Sequence, residues 1–117
     1  MGDAMDDLDR LIGAIEVGTA QNIDFICLPP TPHAKAYGAY NGSLDAAKAL
    51  HEALLPGWEA MTRMMMNGGE AIVFEVDEFG THKIGKHWVC ETKSSSPARA
   101  WLLAVLRAYR TAEGGGA

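Results

Sequence analysis

The sequence predicts an α+β fold: a three-stranded antiparallel meander packed with three helices, in the order α-α-β-β-β-α. Three observations predict it. Two segments near the start place apolar residues at helical spacing. The middle of the chain holds three β-type runs separated by glycine-containing turns. The segment SSSPARAWLLAVLRAYR then returns to helical spacing.

The first helix is predicted over residues 6–17. Leu8, Leu11, Ile12 and Ile15 recur at one helical face, Asp6 or Asp7 serves as the cap, and Gly18 supplies the stop. Residues 19–42 read as irregular. DFICLPP is an apolar run closed by two prolines, hence a short strand or an ordered turn. TPHAKAYGAYNG, with Pro32, Gly38 and Gly42, reads as a polar-aromatic loop.

The second helix is predicted over 43–55. Ser43 is the N-cap and Asp45 lies in the first turn, near the positive helix end. Leu44, Ala47, Leu50, Leu54 and Leu55 form the apolar stripe, with Lys48 and Glu52 on the outer face and His51 at the stripe's edge. Pro56-Gly57 ends the helix, and Trp58 is expected to plug one end of the core.

Strands are predicted at 58–66, 71–77 and 84–92. NGG at 67–69 signals a hairpin, which needs a first arm, so MTRMMM is read as strand; the alternative is that the second helix resumes after Pro56-Gly57. AIVFEV is β-branched and aromatic, and DEFGTHKIG is a longer turn into KHWVCET. In the last helix Ser96 caps and Pro97 takes the first position. Its stripe is Ala98, Trp101, Leu102, Val105 and Tyr109, with Arg107 and Arg110 near the negative end. Trp58 and Trp101 are expected to be largely buried in one core. Residues 1–112 form one domain, and 113–117 a flexible tail.

With 48% hydrophobic and 21% charged residues the chain belongs among globular proteins, not disordered ones. A net charge of −5 argues against direct nucleic-acid binding, which needs a basic surface to displace counterions. Two cysteines, Cys27 and Cys90, make no disulfide framework and are expected reduced. The acidic N-terminus lacks a signal peptide's apolar region, and no apolar run is long enough to span a bilayer. These features predict a soluble, cytoplasmic protein without membrane contact.

No catalytic constellation emerges. His33, His51, His82 and His87 lack zinc-type spacing, and His87 and Cys90 fall on opposite faces of a strand. The serines at 94–96 lack a nucleophile elbow and are accounted for as a cap. NGGE lacks the lysine and hydroxyl of a phosphate loop, and Glu75, Asp77 and Glu78 read as solvated. The expectation is a non-enzyme with no metal and no cofactor. Two polar-aromatic loops are the candidate ligand-binding residues: His33, Lys35, Tyr37 and Tyr40 in one, and Lys83, Lys86, His87 and Trp88 in the other. Rings stack on bases, and Lys or protonated His meets phosphate. The alternative is that Tyr37, Tyr40 and Trp88 pack on the core while the lysines solvate the surface.

GSLDAAKALHEALLPGW, followed about 40 residues later by SPARAWLLAVLRA, resembles a group of small proteins encoded by phages and prophages of alphaproteobacteria. That group in turn resembles the phage ABA sandwich domain, in which a capped amphipathic helix precedes a small sheet and an alanine-rich last helix follows. The matched residues (Ser43, Leu44, Ala47, Leu50, Leu54, Trp58, Pro97, Ala98, Trp101 and Leu102) are caps and core. The resemblance therefore implies fold and phage origin and supplies no catalytic residue. It departs in the middle, where a second tryptophan soon after the first is missing. Small phage accessory proteins often act against host defences. The resemblance thus implies an anti-defence protein of the host cytoplasm and no more; the two polar-aromatic loops favour one that sequesters a nucleotide-type immune signal without cleaving it, as a possible homo-oligomer. The alternative is a protein inhibitor that blocks a host defence complex such as a CRISPR effector. A third possibility is a phage protein whose benefit is unrelated to defence.

Overall fold

The computed structural model describes the backbone of residues 3–28, 30–65, 68–76, 82–92 and 97–113, and side chains over 7–28, 31–64, 69–75 and 97–110. The chain forms α1 (Asp3–Val17), a 3-10 helix (Asn22–Cys27), α2 (Pro30–Tyr40), α3 (Leu44–Leu54), β1 (Trp58–Met65), β2 (Gly68–Val76), β3 (His82–Thr92) and α4 (Pro97–Glu113). The expected order α-α-β-β-β-α with three helices is therefore corrected. Four α-helices and one 3-10 helix are present among the described residues, and the sheet follows the third α-helix. The extra helices lie in the 19–42 segment read as irregular.

Helix ends explain much of this layout. At the end of α1, Thr19 N–H donates to Ala14 O at 2.9 Å and Gly18 N–H to Ile15 O, with Gly18 at φ +81°. That is a Schellman motif, which needs a left-handed residue that glycine supplies cheaply. The same pair of bonds closes α2: Ser43 N–H to Gly38 O and Gly42 N–H to Ala39 O, with Gly42 at φ +102°. Ser43 then caps the next helix, its Oγ accepting from Ala46 N–H at 3.0 Å. One residue thus finishes α2 and starts α3. After α3, Trp58 N–H donates to Leu55 O across Pro56-Gly57, with Gly57 at φ +87°, the signature of a type II turn.

Several boundaries move. α1 starts at Asp3, so Asp6 and Asp7 lie inside the helix, and Asp7 instead pairs with Arg10 at 3.2 Å. α2 forms despite two prolines because both sit in its first turn, where N–H groups lack intrahelical partners. Leu44 is 45% exposed and leaves the expected α3 stripe. β1 and β2 pair from Trp58↔Glu75 to Met65↔Gly68, so Gly68 and Gly69, expected in the turn, belong to the strand; residues 66–67 lie outside the described residues. Gly69 is needed for proximity: a Cβ there would lie 2.5 Å from Pro97 Cα, where α4 begins against the sheet. α4 continues through Glu113, past the expected boundary at 112; the Ser96 cap and residues 114–117 lie outside the described residues.

The layers are set by α4. Ala98, Ala100, Leu102, Leu103, Ala104, Val105, Leu106 and Ala108 are all inaccessible to solvent. So wide an apolar surface must be enclosed, and α4 contacts all three strands together with α1, α2 and α3, leaving Arg107 and Arg110 partly exposed. The sheet is antiparallel in the order β1-β2-β3, with an irregularity between Phe74 and Val76. Ala71 and Val73 are buried, whereas Ile72 and Phe74, which alternate with them, are partly exposed, so α4 covers one sheet face. Trp58 and Trp101 both pack against the one core and are partly buried.

Candidate functional site

The 3-10 helix NIDFIC carries the most distinctive surface among the described residues. It is opened by a reciprocal pair at Gln21, whose backbone N–H donates to Asp24 Oδ2 at 2.8 Å. Side chains three apart eclipse in a 3-10 helix, so the segment has three edges. Asn22, Phe25 and Leu28 form the inner edge: Phe25 and Leu28 are buried, and Asn22 bonds to the His33 ring at 2.8 Å. Ile23 and Ile26 form an outer edge, 66% and 65% exposed. Asp24 and Cys27 form the third, joined by a 3.7 Å contact from Cys27 Sγ to Asp24 O.

Between this helix and α1 lies a cleft of about 150 Å³, lined by Asp7, Arg10, Leu11, Ile23, Asp24, Ile26 and Cys27. It is acidic in balance and smaller than the 300–1,000 Å³ usual for small-ligand sites. Burial, and then the Asp7 carboxylate, push the Cys27 thiol up from its ordinary 9.0. A nucleophilic cysteine needs the opposite shift, so this thiol is chemically quiet at neutral pH. No cluster of three metal-ligating side chains occurs among the described residues.

The first set of expected ligand residues lies on a helix, not a loop, and the helix divides it. His33, Tyr37 and Tyr40 fall on one face of α2, while Lys35 is exposed and displaced around the helix. The aromatic face packs on Phe25: His33 stacks at 6.4 Å, Tyr37 meets it edge-on at 5.5 Å, and Tyr40 lies 5.9 Å away. Tyr40 is buried on its other side by Arg99, whose guanidinium carbon sits 4.1 Å from the ring centroid. The same guanidinium donates to Tyr40 O at 2.9 and 3.2 Å, closing the carbonyl end of α2. Lys83, Lys86, His87 and Trp88, expected in a loop at 77–88, fall within strand β3; their side chains, and residues 77–81, lie outside the described residues. The register sets His87 opposite Phe74 and Trp88 opposite Val73.

Sequence reasoning missed the isoleucine edge. The signal was the spacing of Asn22, Phe25 and Leu28 by threes, with Gln21 and Asp24 at capping distance, in a stretch read as a strand or turn.

The fold and site define a small α+β domain with an apolar-acidic surface beside a quiet thiol. No family model, no curated protein and no solved structure matches the chain. No helix among the described residues is long and apolar enough to cross a membrane.

Proposed function

We propose that the chain is a phage-encoded accessory protein that acts by binding, not by catalysis, and that its target is a host defence protein. The observation that carries this reading is the pair Ile23 and Ile26, two-thirds exposed side by side over a cleft containing Asp7 and Asp24. Fully burying such a side chain is worth about 1.5–3 kcal/mol, so a partner that covers both gains substantially. Adjacent carboxylates select a partner with complementary basic groups and disfavour phosphate-bearing ligands. The phage assignment rests on the resemblance carried by residues 42–58 and 96–108.

The experiment compares wild type with Ile23→Ser/Ile26→Ser. Wild type should rescue plating of a defence-sensitive phage and co-purify with a defence component. The double variant should lose both at an unchanged melting temperature. Rescue by the double variant equal to wild type sinks the proposal.

A second reading, sequestration of a nucleotide-type immune signal, is favoured by one observation: Lys83, Lys86, His87 and Trp88 all fall on the single strand β3. A thermal-shift screen against cyclic di- and trinucleotides separates the two, because a tight ligand raises the melting temperature by mass action. A shift with a cyclic nucleotide, abolished by Lys83→Ala/Lys86→Ala, supports the second reading over the first.

A further inference from the structure

The two edges of the sheet differ in a way that the proposed function does not use. β3 carries Lys83 and Lys86 and meets β2 with an irregular register, the devices by which proteins keep strand edges from pairing. β1 has neither. It pairs with β2 over eight residues without a break and contains no lysine and no proline. β2 lies on one side of β1, and in the order β1-β2-β3 the other side is a sheet edge. Glu59, Met61, Thr62, Arg63 and Met64 are all exposed, Met61 at 61% and Met64 at 78%. A long, regular, partly apolar edge is a template for another strand.

We propose that this edge is a homodimer interface: a second copy adds its own β1 antiparallel to the first, with the two-fold axis through Met61. The charges select this occupant and this register. Glu59, Met61 and Arg63 alternate onto the sheet face away from α4, the face where Arg63 Nη2 meets Glu70 at 2.7 Å. A two-fold at Met61 sets Glu59 opposite Arg63 of the partner subunit, twice, with the two Met61 side chains between them. Arg63 bonds Glu70 through one nitrogen and retains further donors in its fork for the second carboxylate. On the α4 side the same register sets Ala60 opposite Thr62 of the partner subunit. It sets Trp58 opposite Met64 of the partner subunit, a sulfur–aromatic pairing that covers a methionine 78% exposed. Neighbouring registers fail. An axis at Glu59 or Arg63 opposes like charges, and an axis at Ala60 or Thr62 leaves both charges without a complement. The product is a continuous six-stranded sheet whose free edges are the two guarded β3 strands.

The test is self-association of the full chain by sedimentation across the micromolar range. Wild type is expected to be dimeric. Glu59→Arg sets like charges opposite each other and should weaken association roughly tenfold or more. Arg63→Glu should do the same. Mixing the two variants restores both charge pairs, so a heterodimer should form from two monomers. Circular dichroism establishes that each variant is folded. Because Arg63→Glu also faces Glu70, a second measurement avoids that contact. Met61→Cys should oxidise to a symmetric disulfide dimer, since opposed Cα atoms lie about 4.5–5.5 Å apart. Thr62→Cys should not, and wild type controls for Cys27 and Cys90. A monomeric wild type overturns the proposal, as does a dimer indifferent to Glu59→Arg or one cross-linked by Thr62→Cys in preference to Met61→Cys.

Discussion

The Trp101 indole N–H donates to Nδ1 of His51 at 3.3 Å, and the other ring nitrogen of His51 lies 2.9 Å from the carbonyl oxygen of Trp58. Because Nδ1 accepts, Nε2 carries the proton and donates to that carbonyl. One imidazole, 95% removed from solvent, therefore links the last turn of α3, the start of β1 and the first turns of α4. It sits at the junction of helices and sheet, where it had been read only as the edge of an apolar stripe.

His51→Ala leaves the Trp58 carbonyl and the Trp101 N–H without this partner. Each such loss costs about 1–3 kcal/mol, so about 2–4 kcal/mol is expected for the pair. Trp101→Phe removes the N–H and part of the ring packed on the core, leaving the bond from His51 to the Trp58 carbonyl in place. Urea unfolding of both single variants and the double should give a sum larger than the double, since the two share one bond. Strict additivity would show that the contact contributes nothing.

Three glycine-to-alanine changes should differ in sign. At Gly13, inside α1, a Cβ meets nothing within 4 Å, and alanine should stabilise by about 1 kcal/mol. At Gly38 a Cβ falls 2.9 Å from Ala46 Cβ where α2 and α3 cross, so the helical gain is offset by crowding. At Gly69 it would strike the Pro97 backbone at 2.5 Å, and the loss should reach about 3 kcal/mol. Thermal unfolding ranks them, and a stable Gly69→Ala protein would refute the close approach of β2 and α4.

Ser43→Ala removes the Oγ acceptor for Ala46 N–H at the joint between α2 and α3. The expected cost is about 1 kcal/mol, with Ser43→Asp recovering most of it because aspartate caps equally well. Equal stability of all three by denaturant titration would count against the cap.

Cys27 should alkylate slowly at neutral pH, since burial and then Asp7 disfavour its thiolate. Asp7→Asn removes the second cause and should speed labelling of Cys27, read by peptide mapping. The linkage follows in sign. The folded thiol holds its proton above the ordinary 9.0, so the unfolded chain binds fewer protons there. This contribution to stability is intact below 9.0 and is lost as pH rises through the folded-state value. Cys27→Ser should flatten that alkaline decline.

What the sequence determined by itself were the features made of near neighbours. α1, α3 and α4 were legible because Leu8, Leu11, Ile12 and Ile15, or Ala47 and Leu50, repeat at helical spacing, and because Gly18, Ser43 and Pro56-Gly57 act on bonds a few residues away. β1, β2 and β3 were legible from the β-type runs and the turn between them. Tertiary structure decided the rest. TPHAKAYGAY has no apolar stripe, yet it is helical because His33, Tyr37 and Tyr40 close around Phe25 and Gly38 lets α3 approach. The arrangement of the first expected loop follows from the same packing: helical geometry separates Lys35 from the rings, and Arg99, 59 residues away, stacks on Tyr40. Burial of most of α4, the His51–Trp101 link across 50 residues and the open edge of β1 depend on partners remote in the chain. Local pattern carries hydrogen-bond and propensity preferences, but which faces meet is settled only when the whole core packs.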